Sequence, residues 1–406
     1  MKKIEVGIIG CGLIGEKRGV VISQFPDCHL KSVYDVNPER SRQLAEKFGC
    51  SVVQSSDEIF EDEEIGIVMV SPINKYIAPI SVRALQSGKH VLCEKPPGRN
   101  LEETKQLCEM ASRSNGRLKV GFNHRHHPAI SRAKELMDHG EIGPLYYLRC
   151  YYGHGGRPGY DKEWRAAKEL SGGGELLDQG IHVADLFRWF LGELEEVYGN
   201  TSTYFWNMDV EDNAFALFKT SIGQTALMHT SWTQWKNKFS FEIFGESGYL
   251  VVEGLGGSYG TETLRIGKRK LVNGYRLFVN KEKEKRSVSG YELTVDKERQ
   301  IPGSLNKLIT NQLITNNIGS VQQITNQLIT NNFNSRYAGG PPDEEVIEFP
   351  GPDISWEAEW KEFLSAIREN REPMGNGKDG LEAMRMIEAV YRSSKENRPI
   401  KIKEVK

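Results

Sequence analysis

The sequence predicts two joined architectures: an α/β domain on a doubly wound parallel sheet, then an α+β domain on a mainly antiparallel sheet. Three observations carry this. Up to Phe122, short apolar runs rich in Val and Ile alternate with amphipathic stretches, the pattern of a parallel sheet covered on both faces. From Val197 to Leu293, strand-like runs follow one another with little helix between, the pattern of antiparallel pairing. The chain has 406 residues, more than one core usually holds.

In order, "KIEVGIIG", "LKSVYD", "IGIVMVS", "HVLCEK" and "LKVGFN" read as strands. "GEKRGVVISQF", "NPERSRQLAEKFG", "APISVRALQSG" and "NLEETKQLCEMASRSN" read as the helices between them. Asn37 and Asn100 suit helix caps, and Pro38 suits a first turn. These elements make residues 1–122 a first domain and 123–406 a second. The second opens with helices over Pro128–His139 and Glu175–Leu191, continues as strands, and ends in helices at about 355–397. Within it, "ITNQLITNN" occurs identically at Ile309–Asn317 and Ile324–Asn332, inside an Asn/Gln-rich insertion at 304–340. Its period matches neither a helix nor a strand face, so it reads as a tandem duplication tolerated in a surface loop.

Bulk composition excludes several function classes. The net charge of −2 gives no basic stripe for nucleic acid. No apolar run approaches the roughly 18 residues of a membrane span. The opening "MKKIEVGIIG" carries Glu5 inside its short apolar run and reads as a first strand, not a targeting segment. All six cysteines fall within the first 150 residues, none in CxxC spacing, which points to a reducing cytoplasm.

"GCGLIG" (Gly10, Cys11, Gly12, Leu13, Ile14, Gly15) follows the first strand and opens a helix. In that context a G-x-G-x-x-G is the fingerprint of a Rossmann dinucleotide site: Gly10 makes the turn, Gly12 admits the pyrophosphate, and Gly15 lets helix and sheet approach. The helix N-terminus faces the anion. Asp35, ending the next strand, stands where an acid bonds a ribose 2′-hydroxyl. That acid would repel a 2′-phosphate and favours NAD; Arg40, five residues on, leaves NADP open.

The chemistry gathers in two further stretches. In "GGGELLDQGIH", Asp178 and His182 are four apart on an expected helix, with Asp185 on the same polar stripe between apolar flanks. A carboxylate beside an imidazole suits a general base near neutral pH, while a surface ion pair is equally compatible with the spacing. In "GKHVLCEKPPG", Lys95 sits at the C-terminal end of a parallel strand, where ligands of such sheets bind, and Pro96 holds it extended. His124, His126 and His127 lie close together in "NHRHHP", but no Cys or acidic cluster completes a metal set, and no metal is expected.

Taken together, "GCGLIG", "GKHVLCEKP", "VGFNHRHHPA", "GEIG", "WR", "GGGELLDQGIHVADLFRWFLG", "VED" and "GLEAMRMIEAVYRSS" resemble the Gfo/Idh/MocA family of glucose-fructose oxidoreductases and inositol dehydrogenases. The resemblance runs over nearly the whole chain. It implies a Rossmann domain followed by a domain with a large open sheet, through which members often pair into homodimers or homotetramers. It implies a catalytic group of Lys95, Asp178 and His182, with Glu94 and Lys95 beside the nicotinamide and a cis bond before Pro96. Ser71 and Pro72 stand at the family's "TPN"-like turn, with Asn74 following and Tyr76 and Ile77 near the place of its histidine. His126 stands where an aromatic is common. The function implied is reversible NAD(P)-dependent hydride transfer at a hydroxyl or carbonyl of a sugar, sugar derivative or cyclitol. In that reaction His182 takes the hydroxyl proton, Lys95 stabilises the oxyanion and Asp178 orients the pair. Asn123, Arg125, Tyr160, Trp164 and Arg165 are the candidate substrate contacts beside Asp178 and His182. A glycosidase using transient oxidation and a non-catalytic NAD-linked sensor are the alternative readings.

Overall fold

The protein's structure is a computed structural model that describes residues 3–269, 278–280, 292–294 and 341–405. Both copies of "ITNQLITNN" lie outside the described residues, as does the insertion expected at 304–340.

The first sheet contains β1 (Ile4–Ile9), β2 (Cys28–Tyr34), β3 (Ser51–Val52), β4 (Ile65–Val70), β5 (His90–Cys93) and β6 (Leu118–Val120). Its six strands run in the order β3-β2-β1-β4-β5-β6 and pair in parallel. The order reverses beside β1, and ligands of such sheets bind at that switch. Helices α1 (Leu13–Gln24), α2 (Pro38–Phe48), α3 (Ser56–Glu61), α4 (Asn74–Gln86) and α5 (Leu101–Arg113) form the connections. Asn37 and Asn100 cap α2 and α5 by accepting from Glu39 N and Glu103 N. α4 begins four residues before the expected "APISVRALQSG", so Pro79 lies inside it.

Next come α6 (Pro128–Asp138), β7 (Leu145–Gly153), α7 (Lys168–Ser171), α8 (Glu175–Asp178) and α9 (Gly180–Leu191). They are followed by β8 (Glu196–Ser202), β9 (Asn213–Lys219), β10 (Thr225–Ser231), β11 (Lys238–Gly245), β12 (Gly248–Glu253) and β13 (Glu262–Lys268). The antiparallel pair β14 (Phe278–Asn280) and β15 (Glu292–Thr294) belongs to a separate unit, Gly267–Glu344. The chain closes with β16 (Asp343–Phe349), α10 (Ser355–Arg368), α11 (Gly377–Glu396) and β17 (Ile400–Lys401). The second sheet has nine strands in the order β16-β13-β12-β11-β7-β10-β9-β8-β17. β7 and β10 pair in parallel, and the other pairings with known register are antiparallel.

Two expectations change. The helix expected over Glu175–Leu191 breaks at Gln179, where His182 N donates to Gln179 O rather than to Asp178. Asp178 and His182 therefore end one helix and begin another. The boundary expected at 122 coincides with the end of the first sheet but is not a gap in packing. One apolar cluster runs from Val68, Val91 and Val120 through Phe122 to Phe187, Leu148 and Phe241. α10, grouped with the second domain by its position in sequence, instead buries Trp360, Phe363 and Leu364 against Val6, Ile8 and Leu92 of the first sheet. Its apolar stripe completes the covering of a parallel sheet that needs helices on both faces.

Candidate active site

The glycine loop is built by close approach. Gly10 has φ +97°, and a Cβ there would fall 2.5 Å from the Ser71 and Pro72 backbone. A Cβ on Gly15 would fall 2.0 Å from the Gly10 carbonyl oxygen. Gly12 differs, because its Cβ would meet no protein atom within 4 Å. Ser71 Oγ donates to Gly10 O at 2.8 Å and fixes the loop. Gly12 provides no side-chain cap to α1, so the first-turn N–H groups remain for a ligand. Asp35 accepts from Cys11 N at 2.7 Å and Asn37 N at 2.8 Å, which sets its carboxylate at the loop. Burial pushes the Cys11 thiol up to about 12, so it is a packing residue rather than a nucleophile. Leu13 is 71% exposed and Arg40 is exposed on the first turn of α2. The open space at Gly12, the free helix terminus and the fixed carboxylate fit the pyrophosphate and ribose of a dinucleotide.

Beside this loop lies a cavity of about 410 Å³. Ile14, Ser71, Pro72, Asn74, Glu94 and Lys95 line one part; Asn123, His124, Trp164, Arg165, Asp178 and His182 line another. The structure thus brings together residues from far apart in the sequence. The Lys95–Pro96 bond is cis.

Lys95 Nζ donates to Asp178 Oδ1 at 2.7 Å and to Asp178 O at 2.6 Å. Arg165 Nε stands 3.5 Å from Asp178 Oδ2. Burial alone would raise the Asp178 carboxyl, but Lys95 and Arg165 hold it well below the usual carboxylate range. Asp178 is therefore the anion that fixes Lys95. The orientation of His182 by Asp178, expected from their spacing, is not found. His182 is 4% exposed and its Nδ1 is buried without a hydrogen-bond partner. Burial, followed by Lys95, pushes this imidazole well below its ordinary value, so the ring is neutral.

Glu94 is not free to meet a ligand as a charge. Arg18 donates to its Oε1 from Nε at 2.9 Å and from Nη2 at 2.6 Å, and reaches Glu359 of α10 at 2.7 Å. Asn123 Nδ2 donates to Ser355 Oγ at 2.9 Å. Arg165 stacks its guanidinium 4.5 Å from the Trp164 ring.

Two expected substrate contacts lie off the cavity lining. Arg125 is buried against Asp185, with Nε 2.7 Å from Oδ2, and reaches Asp379 of α11 at 3.1 Å. Asp185, expected on the polar stripe of a cleft, is consumed by that pair. Tyr160 packs in an apolar cluster with Val210 and Trp232. Conversely, Tyr152, Tyr259 and Trp356 line the cavity and were not singled out by sequence, and His127, weighed there only as a metal ligand, lines it too. Tyr152 and Tyr259 come from the second sheet region and Trp356 from α10, whose placement no local pattern announces. Glu175, one turn before Asp178, has both carboxyl oxygens buried without partners. Burial, then Asp178, drives it well above the usual range and keeps it neutral. Among the described residues no group of three or more His, Cys, Asp or Glu side chains is arranged to hold a metal ion. Cys11, Cys28, Cys50, Cys93, Cys108 and Cys150 are all free thiols, and among the described residues no helix is long and apolar enough to cross a membrane.

Comparison with known proteins gives the same layout. The family model described as "Oxidoreductase family, NAD-binding Rossmann fold" matches residues 4–122. "GFO/IDH/MocA C-terminal domain" matches 130–251, and "Oxidoreductase family, C-terminal alpha/beta domain" matches 355–402. The levoglucosan dehydrogenase of Pseudarthrobacter phenanthrenivorans is 31% identical over 215 residues, 50% of this chain and 55% of that protein. The glucose-6-phosphate 3-dehydrogenase of Bacillus subtilis is 32% identical over 195 residues, 48% of this chain and 54% of that protein. The match therefore spans about half the length of these curated relatives. Among solved structures, a levoglucosan dehydrogenase in complex with NADH superposes with a TM-score of 0.74 at 21% identity, covering 99% of each chain. That likeness is one of fold.

Proposed function

The chain belongs to the GFO/IDH/MocA oxidoreductase family, and from that premise we propose that it is an NAD-dependent dehydrogenase of a ring hydroxyl on a sugar, sugar derivative or cyclitol. The observation that carries this is the Lys95–Asp178 ion pair lining one cavity with the neutral imidazole of His182, beside the glycine loop. Bound at that loop, NAD supplies the hydride acceptor.

His182, neutral and held by no carboxylate, takes the hydroxyl proton of the alcohol. Lys95 is the cation that stabilises the oxygen as negative charge develops on it, and in the reverse direction the same charge polarises a carbonyl. Asp178 keeps the Lys95 ammonium aimed by accepting from it. Arg165, Trp164 and Asn123 are the side chains from which we build substrate orientation, and the indole of Trp164 suits an apolar sugar face. Asp35 selects NAD over NADP by its negative charge.

We place the enzyme in the cytoplasm on the strength of its free thiols. We further propose pairing of two copies through the face of the second sheet carrying Phe215, Leu227 and Tyr198, which are exposed, and Tyr147 stacked on Phe244 at 4.7 Å. Sedimentation should then find a dimer or tetramer.

The test of function is a panel of free sugars, anhydrosugars, sugar phosphates, sugar nucleotides and cyclitols, assayed with NAD and NADP while following reduced-cofactor absorbance. Turnover with net NADH formation on at least one polyol supports the reading. Hydrolysis of a glycoside with no net NADH would overturn it in favour of a glycosidase.

A further inference from the structure

We propose that His124 is the positioning residue for His182, holding by a face-to-face imidazole stack the ring that no carboxylate holds. This rests on the dehydrogenase reading, in which His182 is the base. The two ring centroids are 3.8 Å apart with planes 23° from parallel. Phe122 also meets the ring edge-on, its centroid 6.1 Å from His182. Among the described residues His182 makes no salt bridge, and its Nδ1 has no hydrogen-bond partner. A hydroxyl-to-nitrogen proton transfer needs the ring held in line with the hydroxyl, and packing is what remains to hold it.

The network also sets the state of His124. Asn123 gives its Nδ2 to Ser355 Oγ, which leaves Oδ1 to accept from His124 Nδ1 at 3.2 Å. His124 therefore carries its hydrogen on Nδ1, and its buried Nε2 is a bare acceptor without a partner. His127 packs edge-on to His124 at 5.4 Å and is itself tied to Glu262 at 3.0 Å. Two rings this close in a buried site cannot both become imidazolium, because the like charges repel at low dielectric. Burial pushes both imidazoles well below their ordinary value. The titratable groups around the pair include Lys95 after β5, Arg165 before α7, Asp178 and Glu175 on α8, Tyr152 on β7, Tyr259 between β12 and β13, Asp353 before α10, and His127 with its partner Glu262 on β13. His124 thus fixes the ring, and burial with His182 beside it keeps His124 itself neutral.

The experiment compares His124→Phe with His124→Ala on the full-length enzyme, with thermal midpoints recorded for both. Phenylalanine keeps a stacking face but cannot take a proton; alanine removes both. For His124→Ala we expect kcat to fall about 10-fold or more with KM for cofactor unchanged. For His124→Phe we expect a smaller fall in kcat, because a stacking face is kept. The readout free of turnover is nitrogen-15 NMR of the His182 ring, assigned with His182→Gln. Its relaxation should report a fixed ring in wild type and in His124→Phe and a mobile one in His124→Ala. An unchanged kcat in His124→Ala, or His182 ring relaxation that is the same in wild type and His124→Ala, would overturn the proposal. If the substrate panel yields no turnover, the dehydrogenase reading fails by itself, and the NMR comparison still decides whether the stack controls the ring.

Discussion

Lys95 Nζ and Asp178 Oδ1 meet at 2.7 Å although 83 residues separate them. One lies two residues past β5 of the first sheet and the other ends a short helix after the second sheet has begun. Removing the cation should abolish stabilisation of the developing oxyanion. Lys95→Met is expected to lower kcat by about 10²–10⁴-fold, in the range of a lost acid–base or oxyanion group, with cofactor affinity retained. Asp178→Asn keeps the shape but not the charge that aims the ammonium, so it should cost less than Lys95→Met. Steady-state kinetics with cofactor titrated by fluorescence measures both terms. Full activity in Lys95→Met would remove Lys95 from the chemistry.

The three glycines of the loop should separate stability from binding. Gly10→Ala and Gly15→Ala drive a methyl into backbone at 2.5 Å and 2.0 Å, so both should unfold at lower temperature. Gly12→Ala meets no protein atom within 4 Å and should fold with an unchanged thermal midpoint. Its methyl enters the space assigned to the pyrophosphate, so the Kd for NAD should rise roughly 10-fold or more. Isothermal titration with NAD, set beside thermal melts, reads both quantities. A Gly12→Ala protein that binds NAD normally would move the pyrophosphate elsewhere.

What the sequence disclosed and what it withheld divide along physical lines. Alternating strands, Asn37, Asn100 and the Gly10–Gly15 loop were legible because each depends on neighbours a few residues away. The S-x-x-E at Ser55–Glu58 was equally local and marks the capping box of α3, although that helix was not singled out. Partner choice was not legible. Asp178 was four residues from His182 and free to orient it, yet the break at Gln179 turns its carboxylate to Lys95 and Arg165. Arg125 looked available to a substrate until Asp185 and Asp379 converged on it from α9 and α11. Long-range pairing decides such cases, and one sequence carries little record of it.

Acid should weaken the fold through its buried imidazoles. Burial, with Lys119 3.5 Å away, pushes His126 down to about 3, whereas an unfolded histidine titrates near 6.5. Between those values the unfolded chain binds the additional proton, so this residue makes stability increase with pH over that window and level off above it. His126→Gln removes the titration. Its denaturant midpoint should therefore fall less steeply than the wild type's between pH 6.5 and pH 5. Parallel curves for the two proteins would show that His126 takes up its proton in the folded state as readily as in the unfolded chain.

The ion pair beneath the site offers the most direct test of how the first sheet is tied to the end of the chain. Arg18 is 1% exposed and bridges Glu94, beside Lys95, to Glu359 on α10. Its guanidinium also lies 4.3 Å from the Trp356 ring, which lines the cavity. Arg18→Met would leave two buried carboxylates without their cation, a change that costs about 3–5 kcal/mol when one partner of a buried pair is removed. Burial already raises Glu359 despite Arg18, so without it the carboxyl takes up a proton in the folded state. A carboxyl whose folded pKa is raised favours the fold below its unfolded value and loses that contribution as pH climbs toward the folded value. The deficit of Arg18→Met should therefore be larger at pH 8 than at pH 5, measured as the shift in urea midpoint from wild type. Arg18→Met/Glu359→Gln should recover part of it at pH 8, because one of the two stranded charges is gone. A deficit that is the same at both pH values would mean that lost packing on Trp356, rather than stranded charge, sets the stability of this joint.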